Sequence, residues 1–335
     1  MTLASSPNGA QADQVGPPPP FDPECGAALA ALGGRVPATI TAEMIPLLRT
    51  AKVAPLPTND ELRRGGYFAV EERSVPGPDG APEISLLICR PTEAAAPVPV
   101  IYHIHGGGMV CGTNRNELLE VLDWAQELQI AVVSVEYRLA PETPHPGPVE
   151  DCYAGLLWMF EHCDELGFDP ARIVVEGPSA GGGLAAAVAL LARDRRGPAL
   201  AGQMLRCPML DDRNETVSAR QMEGRGLWDR GSNNTGWTAL LGDDRGGPDV
   251  PSHAAPARAS DMSRLPPTFI DVGSAETFRD EDVTYASRIW AAGGQAELHV
   301  WPGGFHGYAV MAPQASISQA TMAAQVNWLR RLLAS

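Results

Sequence analysis

The chain has 335 residues, with 25 basic and 40 acidic side chains, for a formal charge of −15. Its 35 glycines and 31 prolines make up about one residue in five, against an average near 12%. There is no Gly-X-Y period, which excludes collagen, and the 44% apolar content excludes a chain that is disordered throughout. The acidic balance argues against nucleic acid as the main partner. The length suffices for a sizeable core without disulfide help.

Residues 1–20 carry no basic stretch followed by an apolar one, so they do not read as a secretory signal. The Pro17–Pro20 run makes this segment a flexible, polyproline-like arm outside the fold. No run reaches the roughly 18 apolar residues of a membrane span. The six cysteines are scattered, without CxxC or metal-type spacing, and read as free thiols in a reducing compartment, hence a cytoplasmic protein.

Next in chain order, Ala27–Leu48 reads as weakly helical. Phe68–Val75 and Glu83–Cys89 flank a Pro-Gly-Pro-Asp-Gly turn signal and predict an edge hairpin. Six further β-branched runs follow: Pro99–Ile104, Ile130–Val135, Arg172–Glu176, Gln203–Cys207, Thr268–Val272 and Ala296–Trp301. Helix-period segments alternate with them at Glu117–Leu128, Val149–Glu161, Gly182–Arg193, Phe278–Ala292 and Ser316–Leu333. Such alternation predicts an α/β fold with a mostly parallel, eight-stranded sheet flanked by helices. Residues 212–247, polar and without a strand pattern, interrupt the rhythm and read as an insertion over one face of the sheet. Together with residues 21–62 they form a helical cap on a core of residues 63–211 and 248–335.

The densest chemical signal is Gly177-Pro178-Ser179-Ala180-Gly181-Gly182-Gly183, between a predicted strand and a predicted helix. A G-x-S-x-G in that context is a nucleophile elbow, with Ser179 exposed on a sharp turn and Gly177 and Gly181 relieving the crowding around it. A phosphate cradle would require G-x-G-x-x-G or G-K-[ST], and neither is present. Upstream, His105-Gly106-Gly107-Gly108-Met109 closes a strand, and its bare backbone suits an oxyanion hole built from the amides of Gly107, Gly108 and Ala180. His103 and His105 alternatively form an HxH pair, but no further metal ligands lie at suitable spacing.

A serine nucleophile needs a base. With the chain order serine, acid, histidine, histidines before residue 179 are excluded, and His306, in a loop after the last strand, is favoured over His299 within it. The acid lies among Asp271, Glu276 and Asp280. Asp271 falls within a strand and Asp280 in a helix, so Glu276, on the connecting loop, is chosen, with Asp280 second.

These motifs, with Tyr137-Arg138-Leu139-Ala140-Pro141-Glu142, Asp151, Arg279-Asp280-Glu281 and Phe305-His306-Gly307, resemble the hormone-sensitive-lipase-like group of α/β-hydrolases. Within it the chain is similar to bacterial acetyl-esterases of the heroin-esterase type. Two positions depart from the family pattern: glutamate stands at 276 where aspartate is usual, and Pro178 precedes the nucleophile. The resemblance implies a serine carboxylesterase for short acyl esters that needs neither cofactor nor metal. It also implies a cap over the site, with Met109, Trp228 and Trp237 as candidate pocket or lid residues, and a possible homodimer. A lactonase or acyltransferase on the same triad is the alternative. A non-catalytic ligand receptor on the same scaffold is a remote one.

Overall fold

In the computed structural model, which describes residues 15–33, 37, 39–50, 55–94 and 97–334, the β-branched runs pair into one eight-stranded sheet. The strands are β1 (Phe68–Val75), β2 (Ile84–Pro91), β3 (Val98–Ile104), β4 (Ala131–Glu136), β5 (Phe168–Pro178), β6 (Gly202–Arg206), β7 (Thr268–Gly273) and β8 (Ala296–Trp301). Their order across the sheet is β1-β2-β4-β3-β5-β6-β7-β8. The first two form the antiparallel edge hairpin; β3 to β8 are mutually parallel, or parallel to β4.

Helices cover both faces. In chain order they are α1 (Pro23–Leu32), α2 (Ile45–Thr50), α3 (Asn59–Leu62), α4 (Leu118–Leu128), α5 (Gly147–Glu161), α6 (Cys163–Leu166), α7 (Ala180–Arg195), α8 (Val217–Gln221), α9 (Arg230–Leu241), α10 (Arg279–Ala291), α11 (Tyr308–Met311) and α12 (Ser316–Leu333). Strand periodicity sorts the core into two layers. Val100, Tyr102 and Ile104 of β3 join the cluster that includes α5, α7 and α10. Ile101, between them, joins Val174, Met204 and Phe269 against α4 and α12.

The described part of the N-terminal arm does not stand away from the fold. Two of its backbone carbonyls act as acceptors: Gln221 Nε2 of α8 donates to Gly16 O at 3.3 Å and Pro17 O at 3.0 Å. Residues 1–14 of that arm lie outside the described residues. The N-terminal segment also meets the 212–247 insertion. Asp229 caps α9 through Ser232 N (2.7 Å) and accepts from Thr39 Oγ1 (2.7 Å), while Ser232 Oγ accepts from Ile40 N (2.9 Å). The insertion reaches deeper than a surface cover, because Trp237 and Leu240 of α9 belong to the main apolar core.

Candidate active site

Strand β5 runs into α7 through a single residue. Ser179 has φ 56° and ψ −122°, a conformation that costs a non-glycine residue energy and persists only where its surroundings over-determine it. Here they do. Ser179 N donates to Arg206 O (2.7 Å), and its carbonyl accepts from Gly183 N and Met209 N (both 3.0 Å). The flanking glycine is sterically required: a β-carbon on Gly181 would lie 2.0 Å from Ile104 O.

The structure brings Ser179, His306 and Glu276 together. Ser179 Oγ is 3.0 Å from His306 Nε2, and His306 Nδ1 is 3.1 Å from Glu276 Oε1 and 3.3 Å from Oε2. Glu276 is buried at 1% exposure and also accepts from Phe278 N at 3.2 Å. The loops that carry acid and histidine are joined by their backbones, with Ala275 N donating to Gly304 O (3.0 Å) and Ser274 N to Trp301 O (2.8 Å). The Phe278 ring meets the imidazole edge-on at 5.1 Å. The other carboxylates are engaged elsewhere. Asp271 accepts from Gln325 Nε2 (2.7 Å), and Asp280 from Ser218 N (2.8 Å) and Arg279 Nε (2.7 Å). His299 pairs with Glu297 at 2.9 Å and stacks on Trp301.

Facing the serine, the glycine loop turns with φ 111° at Gly107 and 61° at Gly108. Gly107 O accepts from Val110 N and Cys111 N (both 3.0 Å). Among the described residues the amides of Gly107, Gly108 and Ala180 have no protein acceptor. Behind the loop, Tyr137 Oη donates to His105 O (2.9 Å) and its ring stacks on the His105 imidazole at 4.1 Å. Burial pushes the His105 pKa down to about 3, so the ring is neutral, and its Nδ1 bonds Gly106 O at 2.7 Å. His103 points instead to Glu176, at 2.6 Å. Arg138 grips Asp151 through two bonds of 2.7 and 2.6 Å, and Ala140 N donates to Met109 O (2.9 Å). The Tyr-Arg-Leu-Ala-Pro-Glu segment thus braces the glycine loop from below.

These groups open on a cavity of about 200 Å³ that Ser179, His306, Gly107, Gly108 and Trp228 all line. Of the three candidate pocket residues only Trp228 lines it. Met109 and Trp237 are not among its walls; both side chains are packed into the apolar core, at 1% and 0% exposure. Trp237 is large enough to line a pocket, but it sits on the core-facing side of α9.

Beneath the site lies a polar row that the sequence reading missed. His103, Glu176, Arg206 and Asp271 take the face of β3, β5, β6 and β7 that carries apolar side chains two residues earlier. Arg206 pairs with Glu176 (2.6 Å) and with Glu120 of α4 (2.7 Å). Burial alone would lower the Arg206 pKa, but the two carboxylates outweigh it and raise it. Asp271 lacks so close a cation, and burial lifts its pKa to about 7. The signal available in the sequence was the polar break in each strand's alternation near its C-terminal end. One Cys/His/carboxylate group lies at metal-ligand spacing among the described residues: Cys207, Glu276 and His306, whose donor atoms are all within 4.8 Å of one another.

Residues 101–310 match the family model for the alpha/beta hydrolase fold. Carboxylesterase NlhH of Mycobacterium tuberculosis is 35% identical over 285 residues, which are 84% of this chain and 88% of that protein. Mouse hormone-sensitive lipase is 42% identical over 103 residues, 31% of this chain and 14% of that protein. A bacterial heroin esterase structure superposes with a TM-score of 0.85 at 42% identity, over 94% of this chain and 98% of that one. With the serine elbow, the parallel sheet and these likenesses taken together, the chain belongs to the alpha/beta hydrolase family.

Proposed function

We propose that this protein is a serine carboxylesterase that hydrolyses small, short-chain acyl esters through an acyl-enzyme. The observation that carries the reading is the unbroken relay from Ser179 Oγ through His306 to Glu276, at 3.0 and 3.1 Å. Ser179 Oγ attacks the ester carbonyl as His306 Nε2 takes its proton, and Glu276 holds the Nδ1–H and stabilises the imidazolium. The amides of Gly107, Gly108 and Ala180 receive the developing oxyanion. His306 then delivers the proton to the departing alkoxide, and water activated by the same nitrogen releases the acid. Acyl groups from acetyl to hexanoyl are what the family resemblance implies for the cavity of about 200 Å³ beside Ser179. Relatives named as carboxylesterase and esterase support this chemistry.

Ser179→Ala is expected to abolish turnover of p-nitrophenyl acetate and butyrate, and to abolish labelling by a fluorophosphonate probe, with an unchanged circular dichroism spectrum. Retained turnover would overturn the reading. We also infer residues 21–62 and 212–247 to act as one cap, tied through Asp229 and Thr39. No described helix is long and apolar enough to cross a membrane; the six free cysteines are what supports a cytoplasmic location. A homodimer rests on family resemblance, and light scattering tests it.

A further inference from the structure

Cys207 follows β6 with a left-handed backbone, φ 38°, an uncommon state for a residue other than glycine and one that clusters at functional positions. It is held there by its own N–H, which donates to Asp271 O at 2.7 Å. The residue lines the same cavity as Ser179 and His306. Its sulfur, a Glu276 oxygen and a His306 ring nitrogen lie within 4.8 Å of one another. Nδ1 is the imidazole nitrogen beside Glu276, at 3.1 Å.

A cysteine sulfur, an imidazole nitrogen and a carboxylate oxygen this close together make up a zinc-type donor set, in which the metal would bind the deprotonated sulfur and keep a fourth position for water. Asp282 is fully buried and both its carboxyl oxygens are without a partner among the described residues, an unpaired polar group close enough to Cys207 and Glu276 to act on both electrostatically. The proposed reaction itself makes no use of Cys207 or Asp282.

We propose that Cys207, Glu276 and His306 form an inhibitory site for Zn²⁺ or a similarly thiophilic dication. The bonds formed are metal–Sγ, metal–carboxylate and metal–Nδ1. The bond broken is Cys207 S–H, whose proton leaves to solvent. The Nδ1 proton of His306 moves to Nε2, so the imidazole stays neutral and its Nε2–H now points at Ser179 Oγ. In that tautomer the histidine no longer accepts the serine proton. A wrong-tautomer histidine costs a serine triad on the order of 10⁴-fold in kcat, so the metal-loaded protein is expected to be nearly silent. A soft sulfur donor selects Zn²⁺ or Cd²⁺ over Mg²⁺ and Ca²⁺.

The inhibition rests on the esterase reading; metal binding does not, and two readouts separate them. Wild type, Cys207→Ala and Cys207→Ser are first stripped with a chelator. Each is then titrated with Co²⁺ by absorption spectroscopy and with Zn²⁺ against p-nitrophenyl butyrate, with rates scaled to each protein's own metal-free rate. The wild type is expected to bind one Co²⁺ with a sulfur-to-cobalt charge-transfer band that both variants lack. Zn²⁺ is expected to silence the wild type reversibly, with EDTA restoring the rate, at concentrations that leave both variants active. A wild type without the band overturns the site, whatever the esterase activity. Equal Zn²⁺ inhibition of all three proteins overturns it as well. A cobalt band in a protein that hydrolyses no ester would keep the site and overturn the esterase reading.

Discussion

Gly108 and Trp228 touch across the mouth of the site: a β-carbon on Gly108 would lie 2.3 Å from the indole ring. The contact joins a candidate oxyanion donor to the insertion, and it explains why bare backbone is needed where φ is already positive. Gly108→Ala is therefore expected to push the loop off the serine while the core stays folded. Losing one oxyanion donor costs about 10²- to 10³-fold in kcat. Steady-state kinetics on p-nitrophenyl butyrate checks this, with the thermal midpoint as a control. A kcat within a few-fold of wild type would remove Gly108 from the oxyanion hole.

Glu276 is one methylene longer than the aspartate usual at this place, yet its two oxygens sit 3.1 and 3.3 Å from His306 Nδ1. Glu276→Gln keeps the shape but removes the charge that fixes the histidine tautomer. It is expected to lower kcat on the order of 10⁴-fold. Glu276→Asp keeps the charge and should fall between that variant and wild type. If Gln at 276 leaves kcat nearly intact while Asp280→Asn does not, the acid has been assigned to the wrong residue.

The Arg206–Glu176 pair is buried on both sides, at 7% and 0% side-chain exposure. Removing Arg206 takes away the full positive charge facing Glu176 and leaves it only the His103 contact at 2.6 Å, in a medium that penalises charge strongly. Arg206→Met is expected to destabilise the fold by about 3–5 kcal/mol. The exposed Arg63–Asp60 pair, at 46% and 91%, is the internal comparison, and Arg63→Ala should cost less than about 1 kcal/mol. Urea unfolding of both variants measures the contrast, and equal losses would contradict it.

Asp271 gives the pH dependence a definite sign. Burial holds its proton on to about pH 7 in the folded chain, against an ordinary value of 3.8; Gln325 and Arg206 pull the other way without reversing this. Between those values the folded state binds the extra proton. Its contribution to stability is therefore present at low pH and is lost as pH rises through the window. Asp271→Asn deletes the titration while offering Gln325 the same acceptor. Its stability relative to wild type should rise from pH 5 to pH 7 and level off above. Urea midpoints of both proteins at pH 5, 6, 7 and 8 test this, and a constant difference would refute the shifted carboxyl.

Much of the site was legible because it is local in the chain. Gly177 to Gly183 and His105 to Gly108 each encode their own turn, and steric demands between near neighbours dictate glycine there. Strand ends were less legible. Strand β5 begins at Phe168, earlier than the apolar run that starts after Arg172, because Phe168 pairs with Val98 and a partner strand decides how far a ladder extends. The polar row was hidden for a related reason. A lone Glu176 or Arg206 in a strand reads as a break; only the pairing of β5 with β6, which sets Glu176 beside Met204 and Arg206 two residues further along the same face, makes it a charge pair.

By itself the sequence determined the α/β alternation, the turn at Ser179 and the glycine loop, since each follows from periodicity or from constraints within a few residues; His306 was singled out by chain order instead. The tertiary structure decided which carboxylate meets that histidine, that Trp228 rather than Trp237 walls the cavity, and that Cys207 stands beside the triad. Those outcomes depend on where strands and loops far apart in the chain come to lie. That is set by packing the whole sheet between its two helical layers, and no local pattern carries it.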